Sequence, residues 1–342
     1  MQTANTEILE TTVEAEGAEL IAPASDLPVA EELSPKKRGN RGLSGGLKRQ
    51  ENLIGWLYIS PMVIGLLVFT LIPIVMSIMS MFYQWNGNAN LITSPFNHFQ
   101  NFKDIFGGEY TKAYWRGLLN TLVFAIQLPV GMILGLFLAL GMNRKMKMAN
   151  AFRVIYYLPG VMSIVAVTII WQTLFKDDGT LNNVLLNIGL KKVDWFGTST
   201  GIAFVVNILC IWKGVGYTSL MFIAGLQSVS TDQLEAARID GASNGKILIK
   251  IMLPALYPTI FYLLVTGLMG ALQMFNEPFI LVKNGNGSLY RGWDAMTAVS
   301  FVYYAKGLGN YGLAAVGAWV LAVFIFIITA IQLYVDKRRD QD

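Results

Sequence analysis

EAARIDGASNGKILIKIMLP, Glu235–Pro254, is a short polar passage between two long apolar runs, 202–226 and 256–282. Outward from it, similar runs recur at 54–82, 118–142, 154–175 and 313–335. Each is long enough to cross a hydrocarbon core of roughly 30 Å as a helix. The 342-residue chain is 54% hydrophobic but only 14% charged, against about 25% charge in ordinary soluble domains. The pattern predicts an all-α integral membrane protein with six transmembrane helices over 53–336. A transmembrane barrel would instead show alternating segments of about ten residues.

Several chemistries are excluded at once. A lone cysteine, Cys210, rules out a disulfide framework, and a lone histidine, His98, rules out an all-histidine metal site. No metal site and no nucleophile–base pair is expected, so the chain has no catalytic residues to name. The net charge of +4 follows the loops between spans and does not cluster on a soluble face, which argues against nucleic acid. Lys and Arg are concentrated in 36–49, 144–153, 238–250 and 337–339 and are sparser in the alternate loops. The positive-inside rule therefore places both termini and the 235–254 passage in the cytoplasm. Residues 1–52 are acidic up to 32 and basic after it, with too little apolar surface to fold. They read as a disordered cytoplasmic tail whose basic half lies against anionic lipid.

The polar passage has its own logic. Ser230, Thr231 and Asp232 are N-cap residues, and Ser230-x-x-Gln233 has capping-box spacing, so a helix over about 232–239 follows. Gly241 interrupts it. Beyond it Ser243, Lys246 and Lys250 share one helical face and Ile247, Leu248 and Ile251 the other. Pro254 closes the element and leads into the fifth span. The result is a helix–glycine–helix elbow over 231–254, presenting Ala236, Ala237 and the Glu235 carboxylate to something outside the membrane. An ordinary interfacial amphipathic helix is the competing reading of these residues. GASNGKI is not a phosphate loop: a Walker A needs four residues between its glycines and Ser or Thr after the lysine.

Polar residues inside the spans are the remaining signal. Lys213, mid-way along 202–226, costs about 3 kcal/mol on insertion scales and must face a cavity or a partner. Trp212, Gly214 and Tyr217 flank it. Gln273, Asn276 and Glu277 fall at i, i+3 and i+4, on one face of a continuous helix, with Pro278 loosening the backbone beside them. Lys213 and Glu277 either line a substrate path or form a structural ion pair. Gly131 and Gly135 form a GxxxG pair suited to close helix approach.

At this point a family resemblance emerges. EAA, three residues, Gly241, nine residues and Ile251-x-Leu253-Pro254 resemble the cytoplasmic EAA loop of ABC importer permeases, position for position. LIPIVMSIMSMFYQW, RVIYYLPGVMSIVAVTIIWQTLF and AGLQSVSTDQLEAARIDGAS resemble the carbohydrate branch, of the maltose and glycerol-phosphate type. The likeness covers 53–336 and implies the type I permease fold of ABC importers. It implies that Glu235, Ala236, Ala237, Asp240, Gly241, Leu253 and Pro254 form the coupling helix that docks on a separate ATPase subunit. It further implies a second permease subunit, two ATPase subunits that hold ATP and Mg, and an extracytoplasmic solute-binding protein. No cofactor is then bound by this chain itself. Lys213, Gly214, Tyr217, Gln273, Asn276 and Glu277 become candidate contacts to a sugar or oligosaccharide, in a prokaryotic inner membrane. FILVKNGNGS departs from the family pattern: Lys283 and Asn286 stand where small or hydroxyl residues are usual, and no proline follows Gly287. The alternative is a self-contained transporter of a small polar solute, ion-coupled through Lys213 and Glu277, although no inverted repeat is visible.

Overall fold

A computed structural model describes residues 45–88, 90–142, 149–282 and 296–339. Most of the tail, the basic cluster at Arg144, and the departure at Lys283 and Asn286 lie outside the described residues. The chain divides into two compact units, Met1–Leu67 and Val68–Asp342. The first contributes α1 (Gly45–Leu66), a helix with Pro61 inside it. A single internal proline is tolerated in a membrane helix because neighbours and local backbone adjustment absorb the missing donor.

The second unit is helical throughout its membrane-spanning part. It begins with α2 (Ile72–Ser80) and the short α3 (Gln100–Phe106), then α4 (Thr111–Phe124) and α5 (Gln127–Met142). Next come α6 (Ala149–Val161), α7 (Ile164–Phe175), α8 (Thr180–Asn187) and the long α9 (Ser199–Leu226). The elbow holds α10 (Thr231–Ile239), α11 (Asn244–Ile247) and α12 (Leu253–Ala255). The chain ends with α13 (Tyr257–Leu272), α14 (Asn276–Val282), α15 (Ala298–Gly307) and α16 (Tyr311–Arg339). Among the described residues, five helical runs are long and apolar enough to span a bilayer: Asn52–Ser80, Thr111–Met142, Ser199–Leu226, Tyr257–Leu281 and Tyr311–Arg339. Phe152–Val161 and Ile164–Asn187 form a sixth if counted as one span, bent by 97°.

Three expectations change in detail, and prolines account for them. The second span starts earlier than 118 and breaks at Ala125–Ile126, placing Pro129 in the first turn of α5, where its missing N–H costs nothing. The third span is not one straight helix. Pro159 sits in the last turn of α6, and the chain turns sharply after Val161 before α7 begins. The fifth span stops at Leu272 and resumes at Asn276, with Pro278 again in the first turn of the new helix. Gln273 and the pair Asn276–Glu277 therefore do not share one continuous helical face.

Packing follows small residues and three apolar clusters. Tyr114, Phe301 and Leu313 join α4, α15 and α16, with the Tyr114 hydroxyl donating to the Gly317 carbonyl at 2.8 Å. Val167, Val205, Leu209 and Leu281 join α7, α9 and α14. Ala139, Phe222 and Leu263 join α5, α9 and α13. At α9 the approach is close: a side chain at Gly216 would run into the Tyr156 backbone, and one at Gly135 would lie 2.7 Å from Thr218 Cγ2. Of the GxxxG pair, only Gly135 makes this contact, because a Cβ at Gly131 meets nothing within 4 Å.

Candidate functional site

The three breaks converge on one cavity. It has a volume of about 600 Å³ and is walled by α5, α6, α9, α13, the 273–275 break and α14. Lys213, Gly214, Tyr217, Gln273, Asn276 and Glu277, the six residues singled out by their polarity or spacing, all line it. Gly131, Gly214 and Gly270 line it too, and a Cβ at any of the three would project into open space. Glycine thus sets the width of the cavity as well as the helix spacing. The Tyr217 hydroxyl lies 3.4 Å from that of Tyr262. Gln127, Tyr157 and Thr218 belong to the same wall and were not foreseen. Gln127 carried a usable signal, being an amide in the middle of an apolar run, where polar groups are costly without a purpose. Tyr157 carried none, because its position depends on the bend after α6.

Lys213 lines the cavity, but its ammonium is held by backbone carbonyls and not by the Glu277 carboxylate. Its ammonium donates to the carbonyls of Pro159 at 3.2 Å, Gly160 at 3.3 Å and Met162 at 2.8 Å. These oxygens lie where α6 ends, that of Pro159 also accepting from the Met162 N–H at 3.4 Å, and a cation at a helix C-terminus also meets the negative end of the helix dipole. No ion pair within 4 Å joins Lys213 to Glu277 among the described residues. The ion pair is therefore corrected: the lysine closes the broken third span from α9, and Glu277 keeps its carboxylate on the cavity wall. The 273–275 break is satisfied in a similar way, by the Thr297 hydroxyl, which donates to the Met274 carbonyl at 3.1 Å. The Gln172 side chain, on α7, donates to the carbonyls of Ile280 and Leu281, in the last turn of α14, at 3.1 and 3.2 Å. Irregular backbone at membrane depth persists only where protein or a water-filled cavity answers its polar groups.

The elbow is built as its sequence reads. The Ser230 side chain accepts from the Gln233 N–H at 3.5 Å, capping α10. At the other end Gly241 adopts φ +76°; its N–H bonds to the Arg238 carbonyl at 3.1 Å, and the Ala242 N–H bonds to the Ala237 carbonyl at 2.9 Å. This is a Schellman ending, which requires a left-handed residue at that position. Ser243 then caps α11 through the Lys246 N–H. A π-helical turn, Leu248–Met252, widens the backbone just ahead of Pro254, which cannot donate to the carbonyl four residues back. Glu235, Ala236, Asp240, Gly241 and Pro254 are exposed, and Ala237 and Leu253 half-buried. Ile239 is 86% exposed, an apolar side chain on this surface that spacing did not single out. Ile247 is buried, and Leu256 seats in the α5–α9–α13 cluster, so the elbow is fixed to the bundle.

A helical bundle with broken spans, a cavity carrying polar side chains at the breaks and an exposed elbow fixed to the bundle defines a solute-translocating membrane protein. Residues 131–341 match the family described as binding-protein-dependent transport system inner membrane component, and the chain belongs to that family. It is 32% identical over 289 residues to a probable ABC transporter permease protein of Bacillus subtilis, covering 83% of this chain and 90% of the relative. It is 27% identical to the lactose transport system permease protein LacF of Rhizobium radiobacter, over 86% and 97% of the two chains. Its fold is similar to that in a crystal structure of a bacterial ABC transporter involved in importing the acidic polysaccharide alginate. That match has a TM-score of 0.72 and 26% identity, and covers 86% of this chain and 98% of that one. The protein is thus a membrane-embedded permease subunit with the ABC importer permease fold. The self-contained, ion-coupled alternative is set aside.

Proposed function

We propose that the protein is one of two permease subunits of an ATP-driven, binding-protein-dependent importer of neutral sugars or oligosaccharides. The observation carrying this reading is the wall of the central cavity. Asn276, Gln273, Gln127 and Glu277 offer amide and carboxylate partners for hydroxyls, and Tyr217 and Tyr157 offer rings for the apolar face of a sugar. Among the described residues the one cation in that wall, Lys213, is engaged by three carbonyls, which leaves none of those residues as a ready counter-charge for an acidic sugar. The lactose permease relative supports the same substrate class.

In this mechanism the elbow faces the cytoplasm, with both termini on that side. Two ATPase subunits, which hold ATP and Mg, close on binding nucleotide, and one of them takes up α10 through Glu235, Ala236, Ala237, Asp240 and Gly241. Because α10 is locked at both ends and seated through Leu256, it moves with the bundle as a rigid body. The cavity then opens alternately to the solute-binding protein outside and to the cytoplasm. The test is uptake of radiolabelled neutral sugars into proteoliposomes holding the complex purified from its own membrane, with and without ATP and the binding protein. ATP-dependent uptake is expected. Glu235→Lys should insert normally yet lose roughly tenfold or more of the uptake, a loss of about 1.4 kcal/mol in coupling. Uptake driven by an ion gradient without ATP would refute the reading.

A further inference from the structure

Where the elbow runs into the fifth span, α13 is tied to the last turn of α16. Tyr257 follows Leu256 directly and is the first residue of α13. Its hydroxyl donates to Asp336 Oδ1 at 2.8 Å, and the Arg339 guanidinium lies over its ring, 3.6 Å from the centroid. Asp336 and Arg339 stand at i and i+3, so one face of the helix end engages both the hydroxyl and the ring. A cation over an aromatic face is attracted to it within about 6 Å. The ring also stacks on Phe261, one turn further along α13, with centroids 6.1 Å apart.

Beyond this contact the two helices part. A cleft of about 570 Å³ is walled by Met269 from α13, Val302 from α15, and Leu321, Ile325 and Phe326 from α16. Met269 lies about three turns along α13 from Tyr257. Gln273 lines both this cleft and the central cavity. The buried residues of α16 all fall between Gly312 and Leu321. From Ala322 to Arg339 the helix buries none within this chain, and the Tyr257 contact holds its end.

The other end of α16 is fastened to the opposite face of the bundle. The Tyr311 N–H donates to the Trp85 carbonyl at 3.0 Å, and the two rings pack with centroids 5.1 Å apart. A side chain at Gly312 would run into the backbone of Ser80 and Tyr83. The Trp319 indole N–H donates to the Ser77 hydroxyl at 3.2 Å, tying α16 to α2. The 29 residues of α16 rise about 43 Å. The helix is thus a strut gripped at both ends, by the first residue after the elbow and by the loop that follows α2.

We infer that Tyr257 is a positioning residue for transport, clasping Asp336 so that α16 carries a displacement of the elbow to the opposite face of the bundle. The inference rests on the import reading above and extends it, because that face is the one the solute-binding protein meets. Leu256 and Tyr257, adjacent in sequence, divide the movement of the elbow between the α5–α9–α13 cluster and α16. A hydrogen bond suits this task because it fixes direction as well as distance, whereas packed apolar helices can slide by shear.

The test is hydrogen–deuterium exchange on the complex purified from its own membrane into lipid nanodiscs, with and without MgATP and vanadate. In the wild type, nucleotide should alter exchange at the elbow, 231–254, and also at the opposite face, in 83–88 and 307–311. Tyr257→Phe removes the donor alone. It should keep the elbow response and shrink the response at the opposite face at least twofold. Asp336→Leu, which removes the acceptor from the other helix, should do the same, and the double variant no more than either. Asp336→Asn keeps an acceptor oxygen and should retain the wild-type response. A merely structural contact would lower the melting temperature of the variants and leave both responses intact, which overturns the inference. A wild-type complex whose elbow responds while 83–88 and 307–311 do not overturns it equally. Failure of the import reading looks different: the wild-type elbow itself would not respond to nucleotide, and the inference would fall with it.

Discussion

Replacing Lys213 by methionine separates two roles the residue could have, and the structure sets the size of the effect. Methionine keeps the length and apolar stem but removes the three donors to Pro159, Gly160 and Met162. The bond to the Pro159 carbonyl is the part-buried one, but that oxygen also accepts from the Met162 N–H at 3.4 Å, so its loss strands no carbonyl and costs about 0.6 kcal/mol, as for an average interhelical bond. The other two bonds are exposed, and water in the cavity can replace the ammonium; each is worth about 0.6 kcal/mol, the average for interhelical bonds in membranes. The net expectation is a destabilisation of about 2 kcal/mol, with the α6–α7 bend loosened. Lys213→Arg, which retains charge and donors, should recover most of it. The assay is thermal unfolding in detergent followed by tryptophan fluorescence, paired with uptake kinetics at a temperature where the variant stays folded. A lower melting temperature, and a fall in maximal uptake with little change in the sugar concentration giving half-maximal rate, fits a lysine that holds the bend. An unchanged melting temperature with a large loss of sugar affinity would refute the reasoning, because it would put the ammonium on substrate and not on the carbonyls.

Two further outcomes bear on the cavity and the elbow. Gly214→Leu meets nothing within 4 Å at its Cβ and removes a mid-helix glycine, a residue that costs roughly 0.5–1 kcal/mol relative to alanine; the variant should melt no lower than wild type yet lose sugar uptake, and wild-type uptake would place the solute path elsewhere. Gly241→Val forces a β-branched residue to φ +76°, at a cost of about 1–2 kcal/mol or more. Limited proteolysis should then cut the elbow faster and uptake should fall, while Gly241→Asn, which tolerates left-handed backbone, retains both; equal loss in the two variants would mean the Schellman ending is not what matters.

The parts of this fold that were legible in the sequence share a physical cause, and so do the parts that were not. Spans declare themselves because lipid tolerates only apolar side chains over a fixed length, and the elbow because Ser230, Gly241, Ser243 and Pro254 each meet a local backbone requirement. Lys213, Asn276 and Glu277 stood out for the same reason, as polarity where polarity is costly. The breaks were half legible. Pro278 marked one, but the bends at 125–126 and after Val161 needed Pro129 and Pro159 to be weighed as helix ends. The partners that make the breaks tolerable were not legible, because they are distant in sequence: Lys213 lies 51 to 54 residues from its three carbonyls, and Thr297 lies 23 from the Met274 carbonyl it meets. This is why the lysine was weighed against Glu277, a charge of opposite sign in a neighbouring span, when its real need was for oxygens released by a broken helix. In a bilayer a proline-broken span creates several unpaired carbonyls at one place, and a lysine with three donors answers more of them than it could through one carboxylate. Glu277 is thereby left on the cavity wall beside Asn276, with no ion pair within 4 Å among the described residues. The broken helices and the polar side chains of the cavity are thus one arrangement: the lysine that stabilises one bend and the polar residues beside the breaks line the same wall.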